Sequence, residues 1–146
     1  MKKALLFGLI LTSLAFAKDI LPQNFGSCSS LGYFTQNNAP IPLKDSYIDI
    51  KKYSCNNNIV YIGIQNTIAG ILKLNVNNDT KDFLLKHFKI NGYNAAVYID
   101  KHLQKGVIAV KLDNSHTLKL LFKGNDYKPF VKILKELNLK EIKKSL

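Results

Sequence analysis

Residues 107–122 read VIAVKLDNSHTLKLLF. Two apolar alternations flank Asp113-Asn114-Ser115, so the stretch reads as a β-hairpin: strand Val107–Leu112, a short turn, strand Leu118–Phe122. A period of two places Ile108, Val110 and Leu112 with Leu118, Leu120 and Phe122 on one face, which is expected to be buried. Lys111, Lys119 and Lys123 must then point the other way. If the turn is Asp113-Asn114-Ser115, Lys111 lies opposite Thr117 and diagonal to Lys119, about 7–8 Å away.

On the N-terminal side, Tyr47–Lys52, Ile59–Ile64 and Ile68–Val76 read as three strands. In the last of them Leu72, Leu74 and Val76 alternate with Lys73 and Asn75, which puts Lys73 on the same outer face as the later lysines. Asp79 stands as an N-cap before an expected helix over Lys81–Lys89, with Phe83, Leu84, Phe88 and Ile90 as its apolar side and Gly92 past its end. The same order recurs downstream. Ala96–Asp100 is a strand, the hairpin follows, and Asp126 caps an expected helix from about Tyr127. There Phe130, Ile133, Leu134 and Leu137 form an amphipathic stripe opposite Lys128, Lys132 and Lys135.

Tyr47-Ile48-Asp49 matches Tyr98-Ile99-Asp100, and Asp79-x-Lys81-x-Phe83 matches Asp126-x-Lys128-x-Phe130. These matches predict an α+β domain over residues 46–146. Its β-β-β-α unit would be repeated once, over 47–90 and 97–137, giving an antiparallel sheet covered on one face by two helices.

Before this domain come an address and an arm. Lys2 and Lys3, the apolar run Ala4–Leu14 and the small-x-small site Ala15-Phe16-Ala17 have the layout of a signal peptide over residues 1–17. Its cleavage would start the mature chain at Lys18. The apolar run is too short to span a bilayer, and no later segment is apolar enough to do so. Residues 18–45, with Pro22, Pro40 and Pro42, read as an irregular arm. In an oxidising compartment Cys28 and Cys55, the only two cysteines, are expected to pair and to tie that arm to the body.

The chain has 146 residues with 21 basic and 10 acidic side chains, for a formal net charge of +11. Every basic residue is a lysine, and asparagine is abundant, a composition that AT-rich codons favour. Part of the charge is therefore attributable to codon bias.

Chemistry-bearing motifs are sparse. His87, His102 and His116 have no metal-ligand spacing; only a fold that joined two loops would gather His102, His116 and Asp113. Glu136 and Glu141 are the sole glutamates and lie close together near the C-terminus, so they do not form a facing carboxylate pair. Asp49 and Asp100 occupy equivalent places in the proposed repeat, although strand-ending aspartates ordinarily bond the amides of the next turn. Asn78-Asp79-Thr80 fits a glycosylation tripeptide, but a helix cap accounts for it better. There is no nucleophile elbow and no phosphate-cradling glycine loop, and no cofactor is called for.

The expectation is an exported, periplasmic or secreted, non-enzymatic binding or accessory protein of a bacterial cell envelope. It would contact an acidic envelope protein or an anionic envelope polymer through Lys73, Lys111, Lys119 and Lys123. A small envelope hydrolase and a secreted factor are the alternatives. Nucleic acid is the weaker partner, because without arginine there are no bidentate phosphate or guanine contacts.

Overall fold

Strand period governs about half of the described residues. The computed structural model describes residues 19–33 and 47–146. Within them nine strands form one antiparallel sheet: β1 (Asn24–Phe25), β2 (Cys28–Tyr33), β3 (Tyr47–Cys55), β4 (Asn58–Gln65), β5 (Asn78–Asp79), β6 (Phe83–Ile90), β7 (Tyr93–Asp100), β8 (Lys105–Lys111) and β9 (Thr117–Lys123). Their order is β1-β2-β3-β4-β9-β8-β7-β6-β5, so two meanders, β1–β4 and β5–β9, are joined along the β4–β9 seam. Three short helices complete the described residues: α1 (Gly70–Lys73), α2 (Lys128–Lys135) and α3 (Leu139–Lys144). The predicted signal peptide lies outside the described residues, as do Pro40 and Pro42. The described part of the arm supplies β1 and β2.

This architecture overturns the expected α+β fold with two covering helices, since only 16% of the described residues are helical. Phe83–Ile90, read as a helix, is strand β6, paired with β7 from Phe83↔Asp100 to Ile90↔Tyr93. The turn explains why. Asn91 and Gly92 both have positive φ, 50° and 87°, which is the two-residue hairpin geometry that Asn-Gly favours. Gly92 thus turns a hairpin and does not end a helix. Asp79 caps nothing: it lies in β5 and pairs through its carboxylate with Lys101. Ile68–Val76 is not a strand either. It leaves the sheet, turns once as α1 and crosses to the far edge. With different elements in the two halves, the repeat over 47–90 and 97–137 does not exist.

One sheet face holds the core. Val60, Ile62 and Ile64 of β4, Leu118, Leu120 and Phe122 of β9, Ile108 and Val110 of β8, and Val97 and Ile99 of β7 are buried there. The hairpin therefore buries the side read from its alternation. Phe130, Ile133 and Leu134 pack onto this face from α2, Leu137 from the link that follows it, and Leu139 and Ile142 from α3. The Phe122 and Phe130 rings stack with centroids 4.4 Å apart. Cys28 and Cys55 are register partners in β2 and β3 and form a buried disulfide, with Cα atoms 4.1 Å apart.

The N-terminal segment is latched into the same face by alternate residues of β3. Asp49 Oδ2 accepts the Ile20 and Leu21 N–H groups at 2.9 and 2.8 Å. The Lys51 ammonium donates to the Leu21 carbonyl and to Asp19. Tyr53 OH donates to the Pro22 carbonyl at 2.6 Å.

The opposite face carries the β4-to-β5 crossover. Because β4 lies beside β9 and β5 lies at the far edge, residues 66–77 must pass over β9, β8, β7 and β6. The register pair Ala96↔Ala109 leaves a shallow trough, and α1 lies against β7 and β8 there. Thr117 pins the start, its Oγ1 accepting the Ala69 N–H at 2.9 Å and donating to the Thr67 carbonyl at 2.8 Å. His87 pins the end: its ring bonds the Ile71 carbonyl at 2.8 Å, while its N–H donates to Asn77 Oδ1 at 2.9 Å.

Candidate functional site

The crossover covers only part of the outer face. Beside it, Tyr61, Leu121, Val107 and Tyr98 stand opposite one another on β4, β9, β8 and β7. The next row holds Lys123 directly opposite Lys105, which is itself opposite Asp100. Like charges in direct cross-strand opposition repel. The Asp100 Oδ1 is already taken by the His102 and Leu103 N–H groups, each at 3.0 Å, as is usual for an aspartate ending a strand.

A cleft opens where the seam ends. The β3–β4 pairing runs on to Cys55↔Asn58, but the β4–β9 pairing stops at Tyr61↔Leu121. The ends of β4 and β9 therefore part, leaving a cleft of about 660 Å³ lined by Lys52, Lys105, Lys123, Ile59, Tyr61 and Leu121. Its deeper wall is Phe122 and Phe130, with Gly106 beneath the Phe122 ring: a Cβ at that glycine would meet the ring at 2.3 Å. Lys52 leans over Tyr61, 5.9 Å from its centroid. Among the described residues no carboxylate forms an ion pair with Lys52, Lys105 or Lys123.

The four lysines singled out from sequence are spread over this outer face. Lys123 lines the cleft. Lys119 sits mid-sheet, its ammonium 6.0 Å from the Tyr47 ring, which itself lies over Gly63. Lys111 is opposite Thr117 at the other end of the strands, where it shares a recess of about 340 Å³ with Lys89, Lys143 and Asp113. Lys73 is exposed on α1, not on a strand. Lys52 and Lys105 were missed. The signal for Lys105 was its place after the β7–β8 turn, but its opposition to Lys123 appears only once the register is known.

The other candidate residues are kept apart. Asp49 is buried on the core face, while Asp100 ends β7 on the outer face. Burial pushes the Asp49 carboxyl above its ordinary value, although the Leu21 N–H and Lys51 act against this. Its Oδ1 makes no hydrogen bond among the described residues. His116 bonds Asp113 at 2.8 Å, but His102 bonds Asp82 at 2.6 Å at the opposite end of β8. The Asp82 carboxylate holds His102 above the usual imidazole value. For Asp113, desolvation acts upward but is outweighed by the Ser115 N–H and the His116 ring, so its carboxyl stays below the ordinary value. No cluster of three or more His, Cys, Asp or Glu able to hold a metal occurs among the described residues. None of the described helices is long and apolar enough to cross a membrane.

The chain matches no protein-family model, no curated protein and no solved structure. The site's own chemistry must therefore carry the functional reading.

Proposed function

We propose that this is an exported binding or accessory protein of a bacterial cell envelope, which contacts an acidic partner through the lysine-rich outer face of its sheet. Lys52, Lys105 and Lys123 form the strongest part of that face, and Lys73, Lys111 and Lys119 extend it. The observation that carries the reading is the direct opposition of Lys105 and Lys123 beside an open cleft. Two facing ammonium groups cost stability, and an anion placed between them turns that repulsion into attraction. The Cys28–Cys55 disulfide supports an oxidising compartment, because such bonds are rare in the reducing cytosol.

Retention of the oxidised protein on immobilised polyglutamate tests the partner class. Wild type should be retained at low salt and released as ionic strength rises past about 0.15 M, where the Debye length is roughly 8 Å. Replacing Lys105 and Lys123 together by glutamate should abolish retention. Equal retention of both proteins would mean that the face is only solvated. Intact mass of the protein recovered from the periplasm tests export: the chain should begin at Lys18.

A further inference from the structure

The cleft opens onto an apolar row. Tyr61, Leu121, Val107 and Tyr98 occupy four adjacent strands, so the row runs roughly 14 Å across the sheet. The crossover lies to one side of it, over Ala109 and Ala96, and Lys105 and Lys123 flank the other. Tyr98 at one end is 36% exposed, and Ile59, two residues beyond Tyr61 on β4, is 44% exposed.

The geometry points to a binding site for an anionic amphiphile. Its phosphate or carboxylate head is held by Lys52, Lys105 and Lys123, and its apolar chain lies along the row from Tyr61 toward Tyr98. This inference rests on the reading above, that the lysine-rich face takes an anionic partner, and gives that partner a chemistry. Charge selects the head, since none of the lysines at the cleft is ion-paired among the described residues and the Asp100 carboxylate opposite Lys105 is engaged by the His102 and Leu103 N–H groups. Apolar surface selects the chain. A fully hydrophilic polyanion would leave Ile59 and Tyr98 in water, and a neutral amphiphile would leave the facing lysines uncompensated. A ligand bearing both parts satisfies both halves of the site.

Dodecyl phosphate is the probe, titrated below its micelle-forming concentration into the oxidised full chain and followed by backbone amide NMR. Inorganic phosphate and dodecyl maltoside are titrated in parallel. Dodecyl phosphate should produce saturable shifts at Ile59, Tyr61, Lys105 and Leu121 and raise the urea midpoint, as a ligand of the native state must. The two controls should do neither at the same concentration. Ile59→Asn should weaken binding about tenfold by removing an apolar contact. Replacing Lys105 and Lys123 together by alanine should weaken it by about tenfold or more. All three positions are exposed, and the lysine pair carries the test should Ile59→Asn fail to fold.

Absence of saturable shifts, shifts confined to another surface, or unchanged affinity in both variants would overturn the site. Sedimentation with phosphatidylglycerol vesicles, beside phosphatidylcholine vesicles, distinguishes a head presented in a leaflet from a free amphiphile. Retention on polyglutamate without dodecyl phosphate binding would overturn the amphiphile and leave the broader reading standing. Loss of both would overturn both.

Discussion

Asp49 and Lys51 bring charge into a core that is otherwise almost wholly apolar. Each is tolerated because it bonds backbone groups of the N-terminal segment, and each leaves a polar residue stranded if the other goes. Asp49→Ala removes the acceptor of two N–H groups and takes a carboxylate from buried Lys51. The expected loss is about 3 kcal/mol in urea denaturation. Asp49→Asn keeps an acceptor and deletes the charge, which isolates the effect of pH. Burial raises the Asp49 pKa in the folded protein, so the folded state holds this proton more tightly than the unfolded chain does. The resulting stability is fully present below the unfolded carboxyl value and lost as pH rises through the raised folded value. Wild type should therefore gain on Asp49→Asn as pH is lowered from neutral toward about 4. Parallel stability curves for the two proteins would contradict the assignment. Cys28 and Cys55 act on the unfolded chain. Replacing both by serine should cost about 3–4 kcal/mol, read from the shift in urea midpoint at constant slope.

Among the elements, the start of the crossover depends on a single hydroxyl. Thr117 both accepts and donates at its start, so Thr117→Val should leave the Ala69 N–H and the Thr67 carbonyl without their partner. A loss of about 1–3 kcal/mol is expected, with faster amide exchange over residues 69–73 than in the hairpin β8–β9. Uniform exchange in both would show that α1 is not held this way. The elements differ in how far local pattern discloses them. Hairpin β8–β9 alternates cleanly about a polar turn, and the stripe Phe130, Ile133, Leu134, Leu137 has only one helical interpretation, so both were legible. Strand β6 was not. Phe83, Leu84, Phe88 and Ile90 satisfy a loose helical side as well as a strand, because Leu85 is buried on the outer face and blurs the alternation. Asn91-Gly92 was the available signal, and it specifies a hairpin. The candidate site was half legible for a related reason. The outward direction of Lys123 follows from parity within one strand. The cleft follows from where β4 and β9 stop pairing, at Tyr61 and Leu121, partners far apart in the chain.

At the scale of the molecule, charge and topology lead to separate expectations. If the lysines act together as a face, lowering the salt should strengthen retention on polyglutamate more for wild type than for a variant with Lys111 and Lys119 changed to glutamate. Lys111 and Lys119 are half-buried and Lys119 lies by the Tyr47 ring, so this variant should lose about 1 kcal/mol of stability, read from the urea midpoint. Identical salt profiles would assign the extended charge to codon bias alone. The seam also bears on the order of events during synthesis. The first meander is complete once Gln65 has emerged, yet the neighbour of β4 is the last strand made. Until Thr117–Lys123 arrives, β4 is an open edge bearing Val60, Ile62 and Ile64, the kind of edge that recruits a foreign strand. Closure across so long a loop is slow, and nascent chains that pause before β9 would be the ones to aggregate. A chain truncated after Lys111 should therefore sediment as oligomers even with its disulfide formed, and a synthetic peptide of residues 117–123 supplied in trans should return part of it to the monomer.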